Sequence, residues 1–320
     1  MHPTSPQTSP WLIFRFWLPL FASWLLMTTE GPLLSAIVNR RPDEVVMLAA
    51  LGIAFAVAVT VESPIINLLS TSTALVRDRP SYQLLRRFTW HWMVALTVLG
   101  ALIGFGPLFD PVVGSLLGTP PEIARWVRPG LQILVLWTPA IAWRRFLQGV
   151  MIRFGRTQAV ARGTALRLAG TGGTAFALAA GTELPGIHIG AWAMLAGVFV
   201  EAIYATFAAA PVIAELPLTA RRPLDYRRLF FFHLPLAGTA VLTLAAQPMV
   251  TFTLARLALP EISLAAWPLV FQALLALRAA SLALPEVVIA LADREGARAS
   301  LARFTGAVAA SLLAVMSLLV

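Results

Sequence analysis

Phe14-Arg15-Phe16-Trp17-Leu18-Pro19-Leu20 and Phe230-Phe231-Phe232-His233-Leu234-Pro235-Leu236 are two versions of one stretch, 216 residues apart. The same offset aligns Pro32 with Pro248, Leu48-Ala49-Ala50 with Leu264-Ala265-Ala266, and Phe55 with Phe271. Further on it aligns Ala74-Leu75 with Ala290-Leu291 and Arg87-Phe88-Thr89 with Arg303-Phe304-Thr305. Chance would scatter such matches over many offsets, whereas these share one without a gap. In a hydrophobic chain a long internal repeat points to a transporter built from two related halves. The competing reading is two apolar helices that share an FxxxLPL pattern by accident. The polar Arg-Phe-Thr match, distant from and outside those two helices, weighs against it.

Composition sets the class. Hydrophobic residues make up 58% of the 320 positions and charged residues 12%, with a mean hydropathy of +0.79. A soluble domain carries about twice that charge. Apolar runs of about 20 residues recur along the chain, each long enough to cross a bilayer. The expected fold class is all-α, a polytopic helical membrane protein, because an open sheet leaves backbone groups unsatisfied in lipid and the runs do not alternate as barrel strands do. All 24 basic residues are Arg, and the net charge is +9. In this context the excess reads as membrane sidedness, with the bilayer as partner and not nucleic acid. The absence of Cys excludes disulfides and thiolate metal sites. The stretch Met1 to Pro10 lacks the basic start of a cleaved signal peptide, so the first helix is expected to serve as an uncleaved signal.

Nine apolar segments are expected, at 11–38, 45–74, 88–109, 126–152, 158–181, 187–213, 229–257, 262–291 and 304–320. Several contain proline: Pro19, Pro32, Pro64, Pro139, Pro235, Pro248, Pro268 and Pro285. Intramembrane proline frees a carbonyl and bends the helix. Pro32 and Pro248, being repeat mates, are the better candidates for shared bends. Odd-to-even connections carry five Arg, whereas even-to-odd connections carry fourteen. The even-to-odd side and the N-terminus are therefore expected to be cytoplasmic, in a multi-pass protein of the cell (inner) membrane. The repeat divides the chain into a first six-helix lobe at 1–213, a linker at 214–228 and three helices of a second lobe at 229–320. Extending the offset past Val320 predicts about 112 further residues, so the chain reads as C-terminally truncated. A true nine-helix protein is the alternative.

With that layout in place, further residues carry a resemblance. Leu116-Leu117-Gly118-Thr119-Pro120-Pro121-Glu122-Ile123, then Arg144-Arg145-Phe146-Leu147-Gln148-Gly149, then Gly155-Arg156-Thr157, resemble a run found in multidrug and toxic compound extrusion (MATE) transporters and their relatives. Leu184-Pro185-Gly186-Ile187-His188-Ile189-Gly190-Ala191-Trp192 is similar to the family's glycine-rich approach to its sixth helix. Within that superfamily the chain most resembles the progressive ankylosis protein group, through Ile13-Phe14-Arg15-Phe16, Pro19-Leu20, Glu30 and Asn39, and through Arg77-Asp78-Arg79 after the second helix. The resemblance implies two lobes in an inverted V, related by a pseudo-twofold along the membrane normal, with the second lobe incomplete. It implies a substrate cavity between the first two helices of one lobe and the seventh and eighth of the chain. It also implies export of an organic ion or a phosphate-rich metabolite by a monomer, driven by a proton or sodium gradient and without a cofactor. Lipid-linked-sugar flipping is the neighbouring alternative.

Ionisable residues inside a bilayer are costly and default to functional candidates. Glu62, deep in the second segment, has Arg278 as its repeat mate. If the lobes are related by a twofold, the two side chains approach the cleft from opposite sides and could form a gate. Glu30, two residues before Pro32, is a buried carboxylate that could take up a proton, or an interfacial one exposed to water. Gln247 and Glu286 complete the candidate ion-coupling set. The resemblance places sodium-coupling acids in the seventh and eighth helices, and the seventh here has none. Arg144, Arg145 and Gln148 suit an anionic substrate arriving from the cytoplasmic side, although snorkelling toward headgroups is the simpler account. Arg167 and Glu201 could pair within the first lobe. His91, between Trp90 and Trp92, reads as an interfacial aromatic belt. His188 and His233 have no neighbours at metal-ligand spacing, so no metal site is expected.

No HExxH, GxSxG, Walker A or DxD motif is present, and the Thr171-Gly172-Gly173 bend is not a phosphate loop. The expectation is a secondary-active exporter and not an enzyme. The alternative from another class is a non-transporting assembly subunit or an inactive fragment.

Overall fold

The computed structural model describes residues 9–219, 223–294 and 296–319. Most of the polar N-terminal stretch, positions 220–222 of the expected linker with Arg221 and Arg222, and Val320 lie outside the described residues.

Every element among the described residues is helical. In chain order they are α1 Pro10–Thr28, α2 Glu30–Val38, α3 Glu44–Ile66, α4 Leu68–Leu75 and α5 Arg79–Gly104. A π-type turn, Asp110–Leu116, leads to α6 Pro121–Leu134, α7 Trp137–Arg153, α8 Thr157–Gly181 and α9 Gly186–Ala214. After the connection come α10 Tyr226–Leu244, α11 Ala246–Leu254, α12 Pro260–Leu282, α13 Leu284–Leu291 and α14 Ala297–Leu319.

Eight of these helices form four rods, each interrupted once near a proline. A proline inside a helix removes one backbone donor and crowds the preceding turn. α1 and α2 part at Thr29, three residues before Pro32. α10 and α11 part at Ala245, three residues before Pro248. α3 and α4 part at Asn67, just after Pro64, and α12 and α13 at Ala283, just before Pro285. The breaks at Thr29 and Ala245 are repeat mates, and so are those at Asn67 and Ala283. Pro19, Pro235 and Pro268 lie within continuous helix.

Six helices or end-to-end pairs are long and apolar enough to cross a membrane: Pro10–Val38, Glu44–Leu75, Gly186–Ala214, Tyr226–Leu254, Pro260–Leu291 and Ala297–Val315. The other three expected segments fall short of that measure. α5 is diluted by Arg87, Trp90, His91 and Trp92; α8 carries Arg162 and Arg167 among glycines and threonines; α6 and α7 are short and separated at Leu136. Among the described residues, length and apolarity by themselves single out six spans, and the expected count of nine is not confirmed by that measure.

α3 is the centre of the packing. Met47, Ala49, Ala50, Ile53, Ala54, Ala56, Val57 and Ile65 are all buried. Its alanines let neighbouring backbones approach closely, which is how helices gain dispersion contact where lipid offers no hydrophobic drive. The core extends onto α6, α7 and α9 and, on the opposite side, onto α12.

Candidate functional site

The first site is a buried charge network inside the first half. Arg167 of α8 holds Glu30 of α2 with two nitrogens: Nε to Oε1 at 3.1 Å and Nη2 to Oε2 at 2.5 Å. Thr171 Oγ1 donates to Oε1 at 2.7 Å. Arg167 Nη1 lies 3.9 Å from Glu201 Oε2 on α9, and Arg144 Nη1 of α7 lies 3.0 Å from the same oxygen. Glu201 Oε1 accepts from Gln148 Nε2 at 2.9 Å and Thr164 Oγ1 at 3.2 Å. Ser23 of α1 shares a 2.6 Å hydrogen bond with Thr164. The fork geometry of Arg suits this bidentate grip on a carboxylate.

Local sequence makes the network reachable. Gly197 lies against α8, where a β-carbon would come 2.8 Å from the Arg167 carbonyl oxygen. That close approach lets Arg167 span from α2 to α9.

Glu62 is buried beside this cluster, with Arg144, Arg145 and Arg167 as its charged neighbours. Its Oε2 has no hydrogen-bond partner among the described residues. Arg145 stacks over Trp24, 5.6 Å from the ring centroid. Three glutamates and three arginines of the first half therefore share one apolar interior, where such groups almost always face one another.

Arg144 and Arg145 are 2% and 8% exposed, so they do not snorkel to the headgroups. Helix geometry aims them inward, and Arg144 and Gln148, one turn apart, both engage Glu201. They share a narrow cavity of about 20 Å³ with Ser23, Trp24 and Glu286. The expected Glu62–Arg278 gate is not formed. Arg278 is exposed and makes no ion pair among the described residues, whereas Glu62 faces the arginines of its own half.

The second site lies between the halves. Glu30, Ser35, Phe55, Gln247, Trp267 and Gln272 face a cavity of about 50 Å³. Gln247 Oε1 accepts from Trp267 Nε1 at 2.9 Å. Gln272 Oε1 is buried without a hydrogen-bond partner among the described residues.

The halves meet through contacts that obey the repeat. Trp17 Nε1 donates to the Ala280 carbonyl at 3.0 Å, and His233 Nε2 pairs with the Pro64 carbonyl at 2.9 Å. Trp17 and His233 are repeat mates, as are Pro64 and Ala280. Phe304 packs edge-on to Trp17 and Phe88 edge-on to His233, again as mates. Ser70 donates to Glu286 at 3.1 Å and Arg77 pairs with Asp293 at 3.2 Å, each contact joining residues 216 apart. A residue can touch its own mate only beside the axis relating the two halves, so the axis passes along α4 and α13. Of the candidate residues, Glu286 is thus at this seam, and Glu30 and Gln247 face the cavity between the halves. At the other end, Arg256 donates to the Phe252 and Leu117 carbonyls at 2.9 and 3.4 Å and covers Gly118, which has φ +65°. Sequence reasoning left Trp17 and His233 without a shared role. Their signal was present, since the aligned repeat puts two N–H-bearing rings at one position.

No family profile and no curated protein matches the sequence. Solved structures do match. A MATE protein in complex with MaL6 superposes with a TM-score of 0.70 at 17% identity, covering 96% of this chain and 71% of that one. A MATE transporter from Vibrio cholerae gives 0.63 at 15% identity, over 93% of this chain and 68% of that one. A MOP superfamily transporter from Pyrococcus furiosus, described by the reverse polarity of its binding pocket, gives 0.63 at 17% identity, over 95% and 68%. The helical order, the repeat-related breaks and these superpositions agree, and the chain has the fold of the MATE transporters of the MOP superfamily.

Proposed function

We propose that this protein is a secondary transporter of the cell membrane that works by alternating access, with the two halves rocking about the contacts near the internal axis. The single observation that carries the reading is the cavity between the halves. It joins one carboxylate, Glu30, to aromatic walls and to Gln272 Oε1, a buried acceptor with no partner among the described residues. Among the described residues no arginine lines it. Apolar and aromatic walls with a few acceptors suit an organic cation bearing an N–H group better than a phosphate-rich anion. The likeness to MATE transporters supports the same class. Export and coupling to a proton or sodium gradient through Glu30 belong to this proposal.

The test is flux of ethidium in proteoliposomes holding the purified chain, under an imposed pH or sodium gradient. Gradient-driven flux that falls at least about tenfold in Gln272→Ala would support the cavity as the path, a loss of the size expected when a ligand group is left unpaired. Absence of gradient-driven flux for ethidium and for other aromatic cations would sink the proposal.

A further inference from the structure

A cleft of about 550 Å³ opens at the Arg-rich end of the molecule and shares no lining residue with the cavity between the halves. Arg15 of α1, Arg156 before α8, Arg162 within α8 and Arg294 between α13 and α14 all line it. Among the described residues no carboxylate lines the cleft, and none of the four arginines makes an ion pair. Some other arginines of the connections are engaged, Arg77 and Arg153 by Asp293, Arg128 by Asp110 and Arg79 by the Ile213 carbonyl, whereas others, among them Arg40, Arg87, Arg227 and Arg228, make no ion pair among the described residues but do not line one concavity. A general excess of positive charge on one face of a membrane protein does not require four guanidinium groups to gather in one concavity with no carboxylate among its described lining residues. Like charges gathered there repel one another unless an anion sits among them.

The remaining lining adds neutral donors. Tyr204 is half-buried at the wall, and Thr157 opens α8, whose first-turn N–H groups favour an anion. Guanidinium forks match phosphate oxygens in geometry as well as charge. We infer that this cleft binds a phosphate-bearing anion, held by Arg15, Arg156, Arg162 and Arg294. Arg294 comes from the second half and the others from the first, so the bound anion ties the halves together at this end. The site stands independently of what the chain transports. The anion is either the headgroup of an acidic lipid in the adjacent leaflet or a soluble phosphorylated compound.

Two measurements on the full purified chain separate these sources. One is equilibrium dialysis of the detergent-solubilised protein against radiolabelled inorganic pyrophosphate. The other is native mass spectrometry of retained phosphatidylglycerol against phosphatidylcholine. The variant is Arg156→Gln with Arg162→Gln, and the control is Arg86→Gln with Arg87→Gln, which removes equal charge elsewhere. Arg294→Gln, in an exposed connection, serves if the double variant fails to fold. The expected result is saturable binding by one probe that weakens at least about tenfold in the cleft variants and less than about threefold in the control. Preferential pyrophosphate binding identifies a soluble ligand, and preferential phosphatidylglycerol retention identifies a lipid. Equal losses in cleft and control variants, or no binding of either probe by the unmodified chain, would overturn the inference.

Discussion

Trp17 reaches across the molecule to the carbonyl of Ala280, and His233 makes the mirror contact to the carbonyl of Pro64. With the imidazole proton on Nε2, Nδ1 accepts from Thr71 Oγ1 at 2.9 Å, so the ring is satisfied at both nitrogens. Both acceptors lie within one turn of a helix break, at Asn67 and Ala283. The two contacts form a paired latch on one end of the seam.

Trp17→Phe and His233→Phe keep the ring and remove the donor. Each loses about 1 kcal/mol of latch, or roughly a fivefold shift toward opening at that end. The chain has no cysteine, so a single Ser70→Cys between the halves reports opening by its rate of thiol labelling. Both variants are expected to label faster than the parent. An unchanged rate would show that these bonds do not hold the seam.

The buried network predicts asymmetric costs. Arg167→Met leaves Glu30 and Glu201 short of a partner and is expected to destabilise by about 3–5 kcal/mol, as for other buried pairs broken from one side. Adding Glu30→Gln should restore part of that loss. Thermal unfolding of the purified chain measures both, and a double variant as unstable as the sum of the singles would show that the two groups do not interact.

Glu62 and Arg278 should behave independently. Arg278→Gln is expected to leave transport and stability nearly unchanged, while Glu62→Gln disturbs the arginines around it. Their double-mutant coupling should lie below about 0.5 kcal/mol, the usual limit for separated sites. A coupling above 1 kcal/mol would restore the gate that the repeat alone suggests.

Gly118 occupies left-handed backbone beneath the Arg256 guanidinium. Gly118→Ala is expected to cost about 1–2 kcal/mol from backbone strain alone. It should also loosen the Arg256 contact to the Leu117 carbonyl, seen as faster hydrogen exchange across 116–120. Unchanged exchange and melting would remove Gly118 from that joint.

The repeat was legible in the sequence because it rests on identity at a fixed offset, and helix breaks recur at that same offset. The Arg-Phe-Thr match also acquires a cause: Phe88 and Phe304 are the edges packed on His233 and Trp17. Partner choice inside the first half was not legible. Glu30, Arg167, Glu201 and Arg144 come from four helices, and only packing through contacts such as Gly197 brings them together. The Glu62–Arg278 contact is absent from this structure for a geometric reason. Mates meet only beside the axis, and Glu62 lies about 12 Å along the rod from Ser70, at 1.5 Å per residue.

The self-mated contacts carry a record of how such a chain can arise. In a symmetric dimer of two identical halves, a position beside the twofold faces its own copy. Arginine would then face arginine at position 77, and serine would face serine at position 70. The present Arg77–Asp293 and Ser70–Glu286 pairs are closed to a homodimer and open to a chain whose two halves differ. Fusion thus turns the one line where a homodimer must be self-complementary into a line where opposite charges can stand face to face.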